Sequence, residues 1–247
     1  MTIKKTVFLI TILSLLVLAS PAALPVLADS HSELKGDVEV SYLQTDGNSE
    51  SVSFAGAGKT EWKINRSKLF AEAKGIYGKK DGETSDKSWF GRLRYDFLLS
   101  ERTSVFLMET VERNTLKGIE FRYYHQGGIS YMVIKTEKDM LKIEVAGGYV
   151  TEDPVAPSRI RGYPSAAVLG AYEHAFTEKS RFEQTVEYIP SLKDGEDYLI
   201  KEETAIITNL LGKFALKASF QVTFDNKPPT DFEKSDRVFR TSLLYTF

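Results

Sequence analysis

The sequence predicts an all-β protein: a transmembrane, antiparallel, up-and-down β-barrel of about twelve strands, following a cleaved signal peptide. Three observations carry this. Polar and apolar residues alternate with period two along the chain, the connections alternate between short and long, and the chain ends on "RVFRTSLLYTF". In that ending Phe239, Leu243, Tyr245 and Phe247 fall on one side, with Arg240, Ser242 and Thr246 on the other. A free C-terminus is normally polar and frayed; this one reads as a strand seated in an apolar medium.

The first element is an export signal. Lys4 and Lys5 precede the apolar run "TVFLITILSLLVLAS", and "PAALPVLA" supplies small residues at Val26 and Ala28, so cleavage is expected after Ala28. The apolar core is shorter than the ~20 residues a spanning helix needs. Residues 1–28 are thus signal and 29–247 the barrel domain. The mature part carries 30 basic and 34 acidic side chains and no cysteine. That balance argues against nucleic acid, whose binders concentrate basic charge. An exported chain without disulfides takes its stability from packing or from a membrane. No later apolar run is long enough for a transmembrane helix.

The strand-like segments run in order over about 34–44, 50–63, 67–79, 87–99, 102–113, 121–134, 140–152, 162–176, 180–190, 197–208, 213–225 and 235–247. In "FGRLRYDFLL", Gly91, Leu93, Tyr95, Phe97 and Leu99 oppose Arg92, Arg94 and Asp96. "LKIEVAGGYV" sets Leu141, Ile143, Val145 and Tyr149 against Lys142 and Glu144. "FALKASFQVTF" sets Phe214, Leu216, Phe220, Val222 and Phe224 against Lys217, Ser219, Gln221 and Thr223. "TSVFLMETVE" is apolar on both sides before Glu109, and its facing stays unassigned.

"NR", "SE", "TEKD", "TEKS" and "NLLG" are the short connections; "TDGNSE", "KKDGETSD", "NTLKGIE", "EDPVAPSRIRG", "SLKDGED" and "NKPPTDFEK" are the long ones. Asp46–Gly47, Asp81–Gly82 and Asp194–Gly195 are hairpin signals, and Pro154, Pro157, Pro228 and Pro229 belong in loops. Short turns at one end and long loops at the other match an outer-membrane barrel, with the short turns periplasmic.

Alternation alone also suits a soluble sandwich with its charges outward. Two facts favour the membrane. Aromatics gather near strand ends (Trp62, Tyr77, Trp89, Tyr149, Phe176, Phe214, Phe224, Phe247), where an interface belt lies. The segments also reach or exceed the ~9–11 residues that cross the hydrocarbon, whereas soluble strands average about five or six. The charges then face the lumen: Arg92, Arg94, Asp96, Arg122, Lys142, Glu144, Glu183, Glu187, Glu203 and Arg240. Leu243, Tyr245 and Phe247 face lipid, with Phe247 closing the barrel against the first strand. They are the expected signal to the outer-membrane assembly machinery, which with lipid completes the expected partners.

Four stretches resemble the salt-induced outer membrane protein family, a family catalogued as a domain of unknown function. "GDVEVSYLQTDGNSES" resembles its opening strand and Thr-x-Gly-Asn hairpin, with Asp46 a departure. "FLLSERTSVF" is similar to its Leu-Ser-Glu-Arg turn. "GIEFRYYHQGGISY" is similar to its Gly-Ile-x-x-Arg-Tyr segment at Gly118, Ile119, Arg122 and Tyr123, and "FDNKPP" to its Asp-Asn-x-Pro pattern at Asp225, Asn226, Pro228 and Pro229. The resemblance covers nearly the whole mature chain in order. It implies an outer-membrane barrel of a Gram-negative bacterium and brings neither an activity nor catalytic residues.

Serine-type catalysis needs a hydroxyl activated by an oriented histidine. The chain has only His31, His125 and His174; Gln126 and Glu173 adjoin the last two but point to opposite faces. The expectation is therefore no catalytic residue and no enzyme. Glu183, Glu187 and Glu203 would form either an acidic cluster for cations, with Arg92 and Arg94 on the same wall, or part of a salt-bridge network filling a narrow lumen; the network is the favoured reading. "TDGNSE" lacks the spacing and terminal Glu of a calcium loop, and "NRS" at 65–67 is a glycosylation acceptor in form only. No phosphate loop or zinc spacing occurs, so no cofactor or metal is expected. The expected role is that of an integral outer-membrane protein of structural, permeability or stress-response character, with a narrow passive pore as the other reading. Oligomeric state is not legible in the sequence.

Overall fold

A computed structural model describes residues 32–45, 51–80, 83–155 and 159–247. The signal segment, His31, the Asp-Gly pairs at 46–47 and 81–82, and Pro157 lie outside the described residues. The described chain forms twelve strands: β1 (Ser32–Thr45), β2 (Ser51–Ile64), β3 (Ser67–Lys80), β4 (Glu83–Leu98), β5 (Thr103–Asn114), β6 (Ile119–Lys135), β7 (Asp139–Pro154), β8 (Arg161–Ala175), β9 (Ser180–Pro190), β10 (Tyr198–Asn209), β11 (Phe214–Asp225) and β12 (Ser235–Thr246). Each pairs antiparallel with its sequence neighbours, and β12 pairs with β1 to close the barrel.

Closure explains the alternation. With β12 paired back to β1, every strand has one face toward the lumen and one toward the outside. The outward face keeps large apolar side chains exposed, among them Leu107 at 63% and Phe239 at 72%. Only hydrocarbon makes such a surface favourable. Aromatic pairs mark two rims: Trp89 with Phe121, and Tyr198 with Tyr188 and Phe224, near the long loops; Tyr245 with Phe214 and Phe247 near the short turns.

The ambiguous segment in β5 places Val105 and Leu107 outward and Phe106 and Met108 inward. Phe106 is 4% exposed because the Arg94 guanidinium lies over its ring, 3.9 Å from the centroid. An inward apolar ring therefore serves as a platform for a cation.

Three of the short turns share one chemistry. Ser100, Thr136 and Thr177 each open a four-residue turn in which the hydroxyl accepts from the amide three residues on, at 3.0, 2.8 and 3.0 Å. Each of their own amides donates back to the carbonyl of that residue. Such side-chain mimicry of a backbone turn is what Ser and Thr offer. In the 65–66 turn, Asn65 takes φ 52°, a left-handed conformation that Asn tolerates well.

The seam is the shortest ladder. β1 and β2 pair residue by residue along fourteen positions, whereas β1 and β12 pair only from Asp37–Thr246 to Val40–Leu243. Two backbone bonds between Gly36 and Phe247, at 2.9 and 3.3 Å, extend it toward the short-turn end.

Candidate functional site

The lumen has two unlike halves. Toward the short turns lies a chamber of about 1300 Å³. Charged side chains from many strands line it, including Lys59, Glu72, Lys74, Arg92, Arg94, Glu144, Glu203 and Lys217. Arg94 grips two carboxylates at once: Asp96 through Nε and Nη2, both at 2.8 Å, and Glu144 through Nη1 and Nη2 at 2.7 and 2.9 Å. Glu144 lies on β7, so this paired fork ties β4 to a strand three places away. Lys142 also reaches Glu144, at 2.9 Å. Arg92 rests over Phe90, donates to Thr110 at 3.3 Å and lies 3.8 Å from Glu72.

Glu203 accepts from Lys217 at 2.8 Å and Gln221 at 2.8 Å, and Lys74 of β3 approaches it at 3.9 Å. Lys217 also reaches Glu39, which accepts from Ser242 at 2.7 Å. Glu183 is held by Arg181 at 2.7 Å. Glu187 is 6% exposed beside its cross-strand neighbour Lys201 and makes no ion pair among the described residues. The three acids thus form no common cluster. Two have cations of their own, and Arg92 and Arg94 bind other carboxylates.

Toward the long loops the interior is filled. Arg122, 2% exposed, donates to Glu152 at 2.6 Å, Glu112 at 3.2 Å and Asp225 at 3.0 Å. Lys201 donates to Glu112 and to the Tyr124 hydroxyl, each at 3.1 Å, and lies over the Tyr124 ring. Arg161 bridges Glu152 at 3.1 Å and Asp197 at 2.8 Å. Three cations and four acids from β5, β6, β7, β8, β10, β11 and the 191–197 loop therefore interlock. An apolar cluster including Met108, Tyr124, Val150, Tyr163, Ile189 and Leu199 packs in the same half. Gln126 Nε2 and Ser165 Oγ are buried there with no hydrogen-bond partner among the described residues.

Loops cover this plug. Gly118, at φ 73°, ends a 3-10 turn over Thr115–Lys117. A Cβ on Gly118 would lie 2.6 Å from Phe232 and 3.0 Å from Pro229, so the 226–234 loop rests directly on this glycine. Lys227 donates to Asp194 at 2.6 Å, which holds the Asp194 carboxyl below its ordinary range and the Lys227 ammonium above its own. Desolvation pushes Asp197 up, against the pull of Arg161. Two of the four stretches that carried the family resemblance meet here, through Gly118, Arg122, Asp225 and Pro229.

Arg240, on the inward parity of β12, has no side-chain partner among the described residues. Leu243, Tyr245 and Phe247 face outward at the seam. His125 is engaged by Glu109, its cross-strand partner, on the outward face of β5 and β6. His174 likewise meets Asp139 at 2.8 Å. Both imidazoles do find carboxylates, across strands rather than along them. Among the described residues neither is hydrogen-bonded to a serine or threonine hydroxyl.

A closed twelve-strand barrel with a charged lumen and an apolar outer belt defines an integral outer-membrane β-barrel protein. The chain belongs to the family described as "Protein of unknown function, DUF481", whose model matches residues 38–247. It is 23% identical over 220 residues to "Uncharacterized protein YdiY" of Escherichia coli (strain K12), covering 89% of this chain and 85% of that protein. Among solved structures it is similar to an outer membrane channel from Pseudomonas putida F1, with TM-score 0.51, 11% identity, and 89% and 96% of the two chains covered. It is also similar to the NanC porin, with TM-score 0.49, 8% identity, and 85% and 97% covered. These likenesses concern the fold.

Proposed function

We propose that this protein is a non-enzymatic outer-membrane barrel whose lumen is shut at rest by the Arg122 plug and opens as a narrow conduit only when that plug is displaced. One observation supports this best: Arg122 is held by carboxylates from three other strands, so it spans the passage instead of lining it. A fully paired buried guanidinium resists removal, because breaking one partner leaves a charge uncompensated. The chamber below is accessible from the periplasm and lined by both signs of charge, so ions that entered it would meet a closed extracellular end.

Export by a signal cleaved after Ala28, and recognition by the assembly machinery through Leu243, Tyr245 and Phe247, belong to the same reading.

Planar-bilayer recording tests the plug. The wild-type protein is expected to be electrically silent at modest voltage, and Arg122→Ala to give ohmic steps. Steady conductance from the wild type, unchanged in Arg122→Ala, would show an open pore and end this reading.

A further inference from the structure

We propose that the extracellular half of the β1–β12 seam is a lateral portal through which a phosphate-bearing lipid of the outer leaflet places its headgroup on Arg240. Backbone pairing between these strands stops at Val40–Leu243. Carried on, the register would pair Ser41 with Ser242 and Leu43 with Arg240, yet the ladder does not continue to them, although each strand remains laddered to its other neighbour. Thr241 and its neighbours lie between the Tyr245–Phe247 rim and the Phe224 rim, at the depth of hydrocarbon. A lipid-exposed strand edge is not tolerated there without a polar companion. One such group is already served by a side chain: the Ser41 hydroxyl donates to the Thr241 carbonyl at 2.8 Å.

Directly inside the opening stands Arg240. It shares the parity of Ser242, which donates to Glu39 in the lumen, and of Leu244, which lines the chamber. The other inward arginines of the spanning strands each have a carboxylate within 4 Å: Arg92, Arg94, Arg122, Arg161 and Arg181. Arg240 alone among them has none among the described residues. A guanidinium without a carboxylate partner among the described residues suits phosphate, which it binds through two parallel hydrogen bonds. Outside the opening, Tyr42 and Phe239 are 62% and 72% exposed, leaving apolar surface for an acyl chain beside the gap. Because the gap faces hydrocarbon, its phosphate comes from a lipid. This inference stands apart from the plug, which lies on other strands and is read by conductance.

The test uses a chain that has no cysteine of its own. The double variant Tyr42→Cys/Thr241→Cys would lock the seam when oxidised. Wild type, Arg240→Ala, Arg240→Lys and the locked variant are loaded with phosphatidylglycerol or with diacylglycerol, and lipid retention is read by native mass spectrometry. Wild type is expected to retain phosphatidylglycerol at least tenfold over diacylglycerol. Arg240→Ala and the oxidised double variant should lose that preference, Arg240→Lys should keep part of it, and reduction should restore it to the double variant. Full retention by Arg240→Ala, or by the oxidised variant, would overturn the proposal. So would equal binding of soluble glycerol phosphate by the locked and open forms, which would mark a water-borne anion.

Discussion

The Asp225 carboxylate accepts from Nη2 of Arg122 at 3.0 Å, joining the last residue of β11 to the fourth of β6 across the lumen. Around that contact, Glu112 and Glu152 complete an enclosure in which every ion depends on the others. Arg122→Met, which leaves Asp225 without its cation and Glu112 and Glu152 with one each, is therefore expected to cost about 3–5 kcal/mol. Adding Glu152→Gln and Asp225→Asn should recover much of it. Urea unfolding of the refolded barrel in micelles, followed by tryptophan fluorescence, measures both; a triple variant no better than Arg122→Met would contradict the coupling.

At the seam, Gly36 lies beneath the terminal ring. A Cβ there would sit 2.9 Å from Phe247 Cε1 and 2.9 Å from the Lys59 carbonyl. Gly36→Val should displace that ring and slow barrel closure several-fold, while Phe247→Ala should slow it without the clash. The rate at which the heat-modifiable folded band appears on electrophoresis reports this, and unchanged rates in both variants would remove the C-terminal residue from the assembly step.

Glu109 and His125 form their contact on the lipid-facing wall, where an acid is unfavourable by itself. His125→Leu should therefore destabilise the barrel by about 1 kcal/mol, because it leaves the carboxylate facing lipid without its partner. Glu109→Leu together with His125→Leu should be no less stable than wild type. Equal unfolding midpoints for the single and double variants would show that the imidazole does not shelter the acid.

The Asp194–Lys227 contact ties two of the long loops. Asp194 has a lowered folded-state pKa, so its contribution is present above its ordinary value near 3.8 and disappears as pH falls through the lowered one. Lys227 is raised, so its share is present below 10.5 and is lost as pH climbs past the raised value. Asp197, raised by desolvation, has the opposite sign from Asp194 and is relieved by acid. Trypsin cleavage after Lys193 at neutral pH should thus be slow, and faster in Lys227→Met. Identical cleavage rates would show that the loops are not joined through this pair.

Strand number and facing were legible because a closed sheet makes parity decisive: Arg92 and Leu93 had to part company once β4 was a strand. Partners were not. Arg94 meets Glu144 fifty residues away, and that depends on the stagger of the barrel, which no local pattern records. Glu109 is not legible as the companion of His125 for the same reason, since the two meet across strands and not along one. The inward facing of Phe106 and Met108 left no alternation to read, because an arginine from another strand shields one of them. A different signal is local and stands in the sequence. "SERT", "TEKD" and "TEKS" share a hydroxyl, an acid and a cation in order, and all three fold into the same hydroxyl-bridged turn.

A hoop fastened over only part of its height parts first at the fastening. Pulled between its two ends, this cylinder should rip open along the join between its first and last ribbons at low force, then unravel hairpin by hairpin. The same weak clasp makes that join the natural place for a growing barrel to zip shut last.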